Sequence, residues 1–214
     1  MGPIGCKGGG AVTMVDHASG CGVYTGAPVC TCGAIARVAA DIHSSAFIHP
    51  KAHVQGARVG ARTKIWQFAS VTAGTVIGED CSIWPHALLD GPAIGDRCKI
   101  ASSVAMGPGF QVGNDVFIGP SVTFCNDLWP RTDATGWDVS KLRDGSCVAV
   151  IVESGASIGA GAVILPGVRI GAGAMIAAGA VCGIDVPSGC LFRRDGRVVE
   201  IDPKWIERRM RAAR

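Results

Sequence analysis

This sequence is poor in three things that most enzymes of its size use freely. Only 6% of its 214 residues are aromatic, with a single tyrosine, only 17% are charged, and there are just five histidines. A low charge content beside 48% hydrophobic residues excludes intrinsic disorder, which needs the reverse balance. No continuous apolar run is long enough to cross a membrane: the least polar stretch, Ala156 to Val186, is interrupted by Pro166, Arg169 and many glycines. The first 30 residues also lack the apolar centre of a secretory leader. A net charge of +3 is too mild to imply a nucleic-acid partner.

The 31 glycines are the complementary excess. At that density a helical bundle is excluded, because each interior glycine costs a helix roughly 1 kcal/mol. The glycines do not recur every third residue, which excludes collagen. Ten cysteines raise the question of a disulfide scaffold, but their spacing is irregular. Cys6, Cys21, Cys30 and Cys32 have no zinc-ligand spacing, and Cys81 and Cys98 fall where a small packed residue is required. A reduced, cytoplasmic setting is the expectation.

The dominant signal is a beat of six. Aliphatic residues recur at Val59, Ile65, Val71, Ile77, Ile83, Leu89, Ile94, Ile100, Met106, Val112 and Ile118, then at Val152, Ile158, Ile164, Ile170, Ile176 and Cys182. Four positions after each comes a small or branched residue such as Thr63, Ala69, Thr75, Cys81, Ala87, Ala93 or Cys98, and only Phe110 in that series is bulky. Glycine often follows the aliphatic residue directly, as at Gly60, Gly78, Gly95 and Gly113. Neither a 3.6 nor a 2.0 period explains this. A short strand and a tight turn do, three such rungs closing one coil of a parallel β-helix with stacked internal columns. The rungs Ile48 to Ala52 and Leu89 to Ala93 read as five residues long, and about eighteen rungs predict roughly six coils.

Outside the repeat, residues 1–44 read as a small-residue extension, with Gly8, Gly9 and Gly10 in a row and Met14 as an alternative start. The beat stops again over about 125–147, where Asn126, Asp127, Pro130, Asp133, Gly136, Asp138 and Asp144 mark an excursion loop that also carries Trp129 and Trp137. Long loops on rigid scaffolds are where binding concentrates. Residues 191–214 are a basic tail, in which Asp202 and Pro203 read as the start of a short helix.

The six-residue pattern over about 45–190 resembles the hexapeptide-repeat acyltransferases, which fold as left-handed parallel β-helices and assemble as trimers. The segment from Phe117 through Ile118, Gly119, Pro120, Ser121, Val122, Thr123, Phe124, Cys125, Asn126, Asp127, Leu128, Trp129 and Pro130 to Arg131 is narrower. It is similar to the loop of nucleotide-linked amino-sugar N-acetyltransferases, and Ile48-His49-Pro50, Ile65-Trp66-Gln67-Phe68 and the run Val163 to Gly171 fit the same group. The resemblance implies acetyl-CoA in an outer groove between two subunits, and a dTDP- or UDP-linked deoxyamino sugar in the adjoining cleft, in surface glycan synthesis.

Acetylating an amine with a thioester requires an uncharged amine, a donor to the tetrahedral oxyanion and alignment of the two reactants. His86, Ser103 and Ser121 each lie three residues past a core aliphatic and are expected to stack on one outer surface. Related enzymes carry asparagine where Ser103 stands. His86 is therefore the candidate catalytic group, as base or as hydrogen-bond donor, with an ordinary surface histidine as the alternative. Asn126 is a candidate oxyanion donor and Asp127 a candidate partner for the ammonium or a sugar hydroxyl, expected close to that face, with simple loop capping as the alternative. Ser103, Ser121, Trp129 and Arg131 are candidate contacts to the nucleotide sugar. Gly161, Gly173, Ala178 and Gly179 offer close approach to a pantetheine arm, and Arg193, Arg194 and Arg197 suit the CoA phosphates.

Three other readings compete. A γ-class carbonic anhydrase needs three converging histidines, but no two of His17, His43, His49, His53 and His86 lie at stacked coil positions with a third nearby, and no metal is expected. A non-catalytic β-helix scaffold needs only the repeat. An O-acetyltransferase for a small hydroxylated acceptor would depend more sharply on a base.

Overall fold

The computed structural model describes residues 40–72, 74–127, 130, 149–202 and 204. The expected N-terminal extension up to residue 39, most of the excursion loop and the short C-terminal helix beyond Lys204 lie outside the described residues.

Within them the chain is all-β. Short strands, from Asp41–Ile42 to Val198–Glu200, build three parallel sheets that form the faces of a triangular left-handed β-helix. The first face holds seven strands, from Asp41–Ile42 to Arg169–Ile170; the third also holds seven, from His53–Val54 to Val181–Cys182. The second holds nine, beginning at Phe47–Ile48 and ending with Cys190–Phe192 and the antiparallel Val198–Glu200. About seven coils result, one more than the aliphatic beat alone predicts. The extra rungs extend the beat at its start, where Ile42, Ile48 and Val54 lie six residues apart and pair with Val59, Ile65 and Val71, although the strand Asp41–Ile42 is exposed.

Every member of the predicted aliphatic columns is buried, from Val59 at 1% exposure to Cys182 at 0%. The pairing register makes them columns, since Ile65, Ile83, Ile100, Ile118, Ile158 and Ile176 are successive partners on the second face. Each such side chain removed from water contributes about 1.5–3 kcal/mol. Phe110 is tolerated at its small position because its ring packs on Phe124, 5.4 Å away.

Two details of the rung reading are corrected. Ala93 is exposed and Pro92 is buried in its place, and the rung that opens at Ile48 is six residues long, because Val54 is the next residue of the core column and His53 faces out. The five-residue rungs are therefore Val54 to Arg58 and Leu89 to Ala93, with Ala57 and Pro92 as their inward small residues. Both shorten the turn between the third and first faces, where Gly56 and Gly91 take positive φ of 63° and 95°. A residue is lost from a turn more readily than from a strand, because a one-residue slip within a strand would turn its inward side chains outward.

The glycines after the aliphatic residues answer to coil spacing. A Cβ on Gly60 would lie 2.5 Å from the backbone of Gly78 one coil on, and one on Gly159 would lie 2.4 Å from the Ala178 amide. At Gly78 and Gly95 the space is already used: Asp96 Oδ1 accepts from the Glu79 amide at 2.9 Å and Asn114 Oδ1 from the Asp96 amide at 2.8 Å. The inward small positions also satisfy backbone groups. Thr63 accepts from the Cys81 amide, and Thr75 from the Gly91 amide, so these two buried hydroxyls are core components and not ligand groups. Among the described residues, Cys81, Cys98, Cys125, Cys182 and Cys190 are free thiols. The Cys98 thiol is pushed up by its contact with Cys81 and by burial, which suits packing and opposes reactivity.

Gly159→Ala should cost about 1–3 kcal/mol through overpacking and lower Tm by about 2–10 °C. Gly161→Asn should cost less than about 1 kcal/mol, because asparagine tolerates the left-handed region and nothing lies within 4 Å of its Cβ. Thermal unfolding of the two variants separates close approach from backbone conformation.

Candidate functional site

The three corners of the prism differ in chemistry. Each standard turn places one residue in the left-handed region. At the corner between the second and third faces these residues are Phe68, His86, Ser103 and Ser121, with φ from 57° to 63°, followed by Gly161 and Gly179 at 66° and 70°. Amide-to-carbonyl bonds stack these turns: Ser103 donates to Pro85, Ser121 to Ser102, Gly161 to Pro120 and Gly179 to Ala160. His86, Ser103 and Ser121 thus share one outer ridge, and all three are exposed. Positive φ is uncommon for a bulky residue such as Phe68 and costs of order 1 kcal/mol or more, whereas a histidine such as His86 tolerates it better. Their rings stack at 5.2 Å and 19°, and the Lys51 ammonium stands 5.6 Å from the Phe68 centroid.

Along this ridge the composition changes in one direction. Rings occupy the early coils, hydroxyls at Ser103 and Ser121 the middle, and Gly161, Ala178 and Gly179 the late coils. Arg194 closes the column, its Cδ 4.0 Å from where a Cβ on Gly179 would stand. At about 4.8 Å per coil, His86 and Gly179 are roughly 19 Å apart along the axis. Arg193, Arg194 and Arg197 belong to the turn of the last hairpin, not to a loose tail; Arg193 and Arg197 approach Asp195 at 3.8 and 3.9 Å.

Not all candidate residues meet here. Gly173 lies at the corner between the first and second faces, with φ of 63°, so it does not share a groove with Gly161 and Gly179. Asn126 and Asp127 leave the strand Thr123–Phe124 at the corner between the third and first faces. They are half-buried and stand one face-width from His86 within the chain, farther than the expected closeness. Asn126 folds back, its Nδ2 being 3.3 Å from where a Cβ on Gly107 would lie. Trp129 and Arg131 lie outside the described residues.

The remaining corner, between the first and second faces, is an ion-pair ladder. Arg62 makes two bonds of 2.7 Å to Asp80 and one of 2.8 Å to Glu79, and Arg97 makes bonds of 2.7 and 2.8 Å to Asp115. Hydrogen bonding by these guanidiniums holds Asp80 and Asp115 below the usual carboxylate range and raises both arginines. The residues sit in left-handed turns too, but their charges are mutually satisfied. Residue type alone would have called this corner a site; its pairing makes it structural. No group of three metal-ligating side chains exists among the described residues, and no described helix is long and apolar enough to cross a membrane.

What fold and ridge define is a left-handed β-helix of hexapeptide rungs. Its repeat is similar to that of the family described as "Bacterial transferase hexapeptide (six repeats)", whose model matches residues 56–91 and 149–183. A relative is the bifunctional protein GlmU of Acidithiobacillus ferrooxidans, 30% identical over 132 residues, which cover 60% of this chain and 28% of that protein. The chain thus spans little more than a quarter of the curated relatives it matches. A proposed acetyltransferase from Bacillus cereus is 23% identical with a TM-score of 0.53, covering 81% of this chain and 84% of its own. The UDP-N-acetylglucosamine acyltransferase of Francisella novicida is 16% identical with a TM-score of 0.52, covering 79% and 71%. At these identities the two structures support the fold.

Because Asp80 and Asp115 titrate lower folded than unfolded, their contribution is present above the ordinary carboxylate range and is lost as pH falls through the depressed values. Tm should therefore decline on acidification from about pH 5 to about pH 2, and Asp80→Asn with Asp115→Asn should flatten that decline. An unchanged slope in the double variant would assign the acid sensitivity elsewhere.

Proposed function

We propose that this protein is an acyltransferase that moves acetyl from acetyl-CoA to the amino group of a nucleotide-linked deoxyamino sugar. The observation that carries the reading is the one-way gradient along the ridge, from rings through hydroxyls to glycines and guanidiniums. An extended thioester co-substrate needs those features in that order. Guanidiniums pair with phosphates, open glycine turns admit a thin arm against backbone, and the reacting carbonyl then falls among polar side chains. Gly161, Ala178, Gly179 and Arg194 supply the late part, with Arg193 and Arg197 beside them; Gly173 has no part in this groove.

The amine attacks the thioester carbonyl, the C–N bond forms, and charge collects on the carbonyl oxygen. Collapse breaks the C–S bond and releases the CoA thiol. The proton lost by the amine passes to His86 or directly to the departing thiolate. Stacking on Phe68 fixes the imidazole plane, so His86 meets the acceptor in one orientation. Ser103 and Ser121, one and two coils away, hold sugar hydroxyls.

The loop side of the site comes from a second copy. Within one chain a face separates Asn126 and Asp127 from His86, and in a trimer with parallel axes the loop corner of one subunit can approach the His86 ridge of the next. Asn126 then donates to the oxyanion and Asp127 orients the ammonium, with Trp129 and Arg131 on the nucleotide sugar. Surface glycan synthesis in the cytoplasm is the setting that fits an acylated sugar nucleotide.

Thiol release from acetyl-CoA tests this, with dTDP- and UDP-amino sugars as acceptors, hydroxylated sugars and serine as controls, and a blank for the protein's own cysteines. Turnover confined to amino sugars is expected, and His86→Ala should lower kcat by about 100-fold to 10,000-fold if the imidazole takes the proton. Turnover of serine or hydroxylated sugars alone would replace the reading with O-acylation. No turnover and no acetyl-CoA binding would leave a scaffold.

A further inference from the structure

The second face carries a chemistry that the ridge does not use. Every exposed aromatic residue among the described residues, Phe47, Trp66, Phe68, Trp84 and Phe117, lies on this face or on the corner that follows it. They are adjacent: Phe47 and Trp66 are 5.7 Å apart by ring centroids, and Trp66 and Trp84 hold equivalent places in successive coils. Aromatic residues are scarce in this chain, so their concentration on one outer surface has no explanation in the core.

Charge is as uneven. The outward column of the face reads Phe47, Lys64, Ser82, Lys99, Phe117 in successive coils. No aspartate or glutamate occupies an outward position of its parallel strands, nor any of the three turn residues after each strand down to Gly179. Neither Lys64 nor Lys99 has an ion-pair partner among the described residues, whereas Arg62 at the neighbouring corner is fully paired. The lysines stand two coils apart, roughly 10 Å, with Ser82 between them. A shallow depression on the same surface is lined by Phe47, Lys64 and Ser82 and by Ser45, Arg62 and Asp80 beyond.

We infer that this face binds a nucleoside diphosphate, the base stacked on Trp66 and Trp84 and the phosphates held by Lys64 and Lys99. Every base has a π face that an indole can cover, which makes such stacking tolerant of base identity. An ammonium serves as a point charge for a phosphate whose position varies. The face's own parallel strands and following turns carry no carboxylate, and Asp80 at its edge is neutralised by Arg62. The inference rests on the nucleotide-sugar reading above and names the surface that holds the nucleotide; His86, on the adjoining corner and one coil position from Phe68, then meets the sugar.

The test uses the full chain with UDP and dTDP, without sugar, followed by calorimetry and by tryptophan fluorescence. Wild type is expected to bind at least one of them with quenching and with an affinity that falls as salt rises. Lys64→Ala with Lys99→Ala, and separately Trp84→Ala, should each weaken nucleotide binding at least tenfold, while acetyl-CoA binding changes less than twofold and Tm is retained. Equal nucleotide binding by wild type and both variants overturns the inference, as does failure of wild type to bind either nucleotide at millimolar concentration. If Trp66→Ala or Trp84→Ala instead lowers the sedimenting mass and leaves nucleotide affinity unchanged, the face is covered by another copy of the chain and the inference also falls. Nucleotide binding without acetyl-CoA binding would sink the acyl-transfer reading and keep this site. Acetyl transfer to an amino sugar without nucleotide contact here would do the opposite.

Discussion

The parallel backbone ladder between coils sets everything else in this molecule. Strands hydrogen-bonded side by side stand about 4.8 Å apart, so equivalent positions in successive coils are in van der Waals contact by necessity. Inside, that contact rewards stacked branched aliphatics, and Ile65, Ile83, Ile100 and Ile118 form one uninterrupted column. Where two turns meet edge to edge, it forbids a side chain, which is why Gly60, Gly159 and Gly171 face backbone atoms at under 3 Å from a would-be Cβ.

The same ladder makes corners into one-dimensional surfaces. A residue in the left-handed position of one turn has its counterparts directly above and below, so the chemistry of a corner is decided by one residue per coil. One corner spends this on Arg62, Asp80, Arg97 and Asp115, whose charges cancel in pairs. The next carries Phe68, His86, Ser103 and Ser121 in the same backbone geometry without mutual neutralisation. Identical backbone geometry thus carries paired charges at one corner and rings and hydroxyls at the next.

Much of this is legible in one dimension because the repeat is short and local. The six-residue beat names the core, and the three-residue offset from Ile83, Ile100 and Ile118 correctly puts His86, Ser103 and Ser121 on one ridge. Two kinds of information were missing from it. Corner identity depends on counting rungs in threes, and Gly173 counts to a different corner from Gly161 and Gly179 although all three follow the same local rule. Rung length is the other: Ala93 and Pro92 are both small, and only coil-to-coil pairing shows which points inward. The carboxylate-free aromatic face was hidden for the same reason, since Phe47, Lys64, Ser82, Lys99 and Phe117 are 17 or 18 residues apart and become neighbours only through the coil.

By itself, the sequence determined that this chain coils: alternation of a branched aliphatic, a small inward residue and a turn admits no other packing, because each choice is satisfied by its own rung and the next. Tertiary structure alone decided which polar groups share a corner. It put His86 and Asn126 at opposite ends of one face, paired Arg62 with Asp80, and left Lys64 and Lys99 without an ion-pair partner among the described residues. Those outcomes depend on the number of residues per coil summed over the intervening rungs, a quantity that a single lost turn residue changes and that no local pattern records.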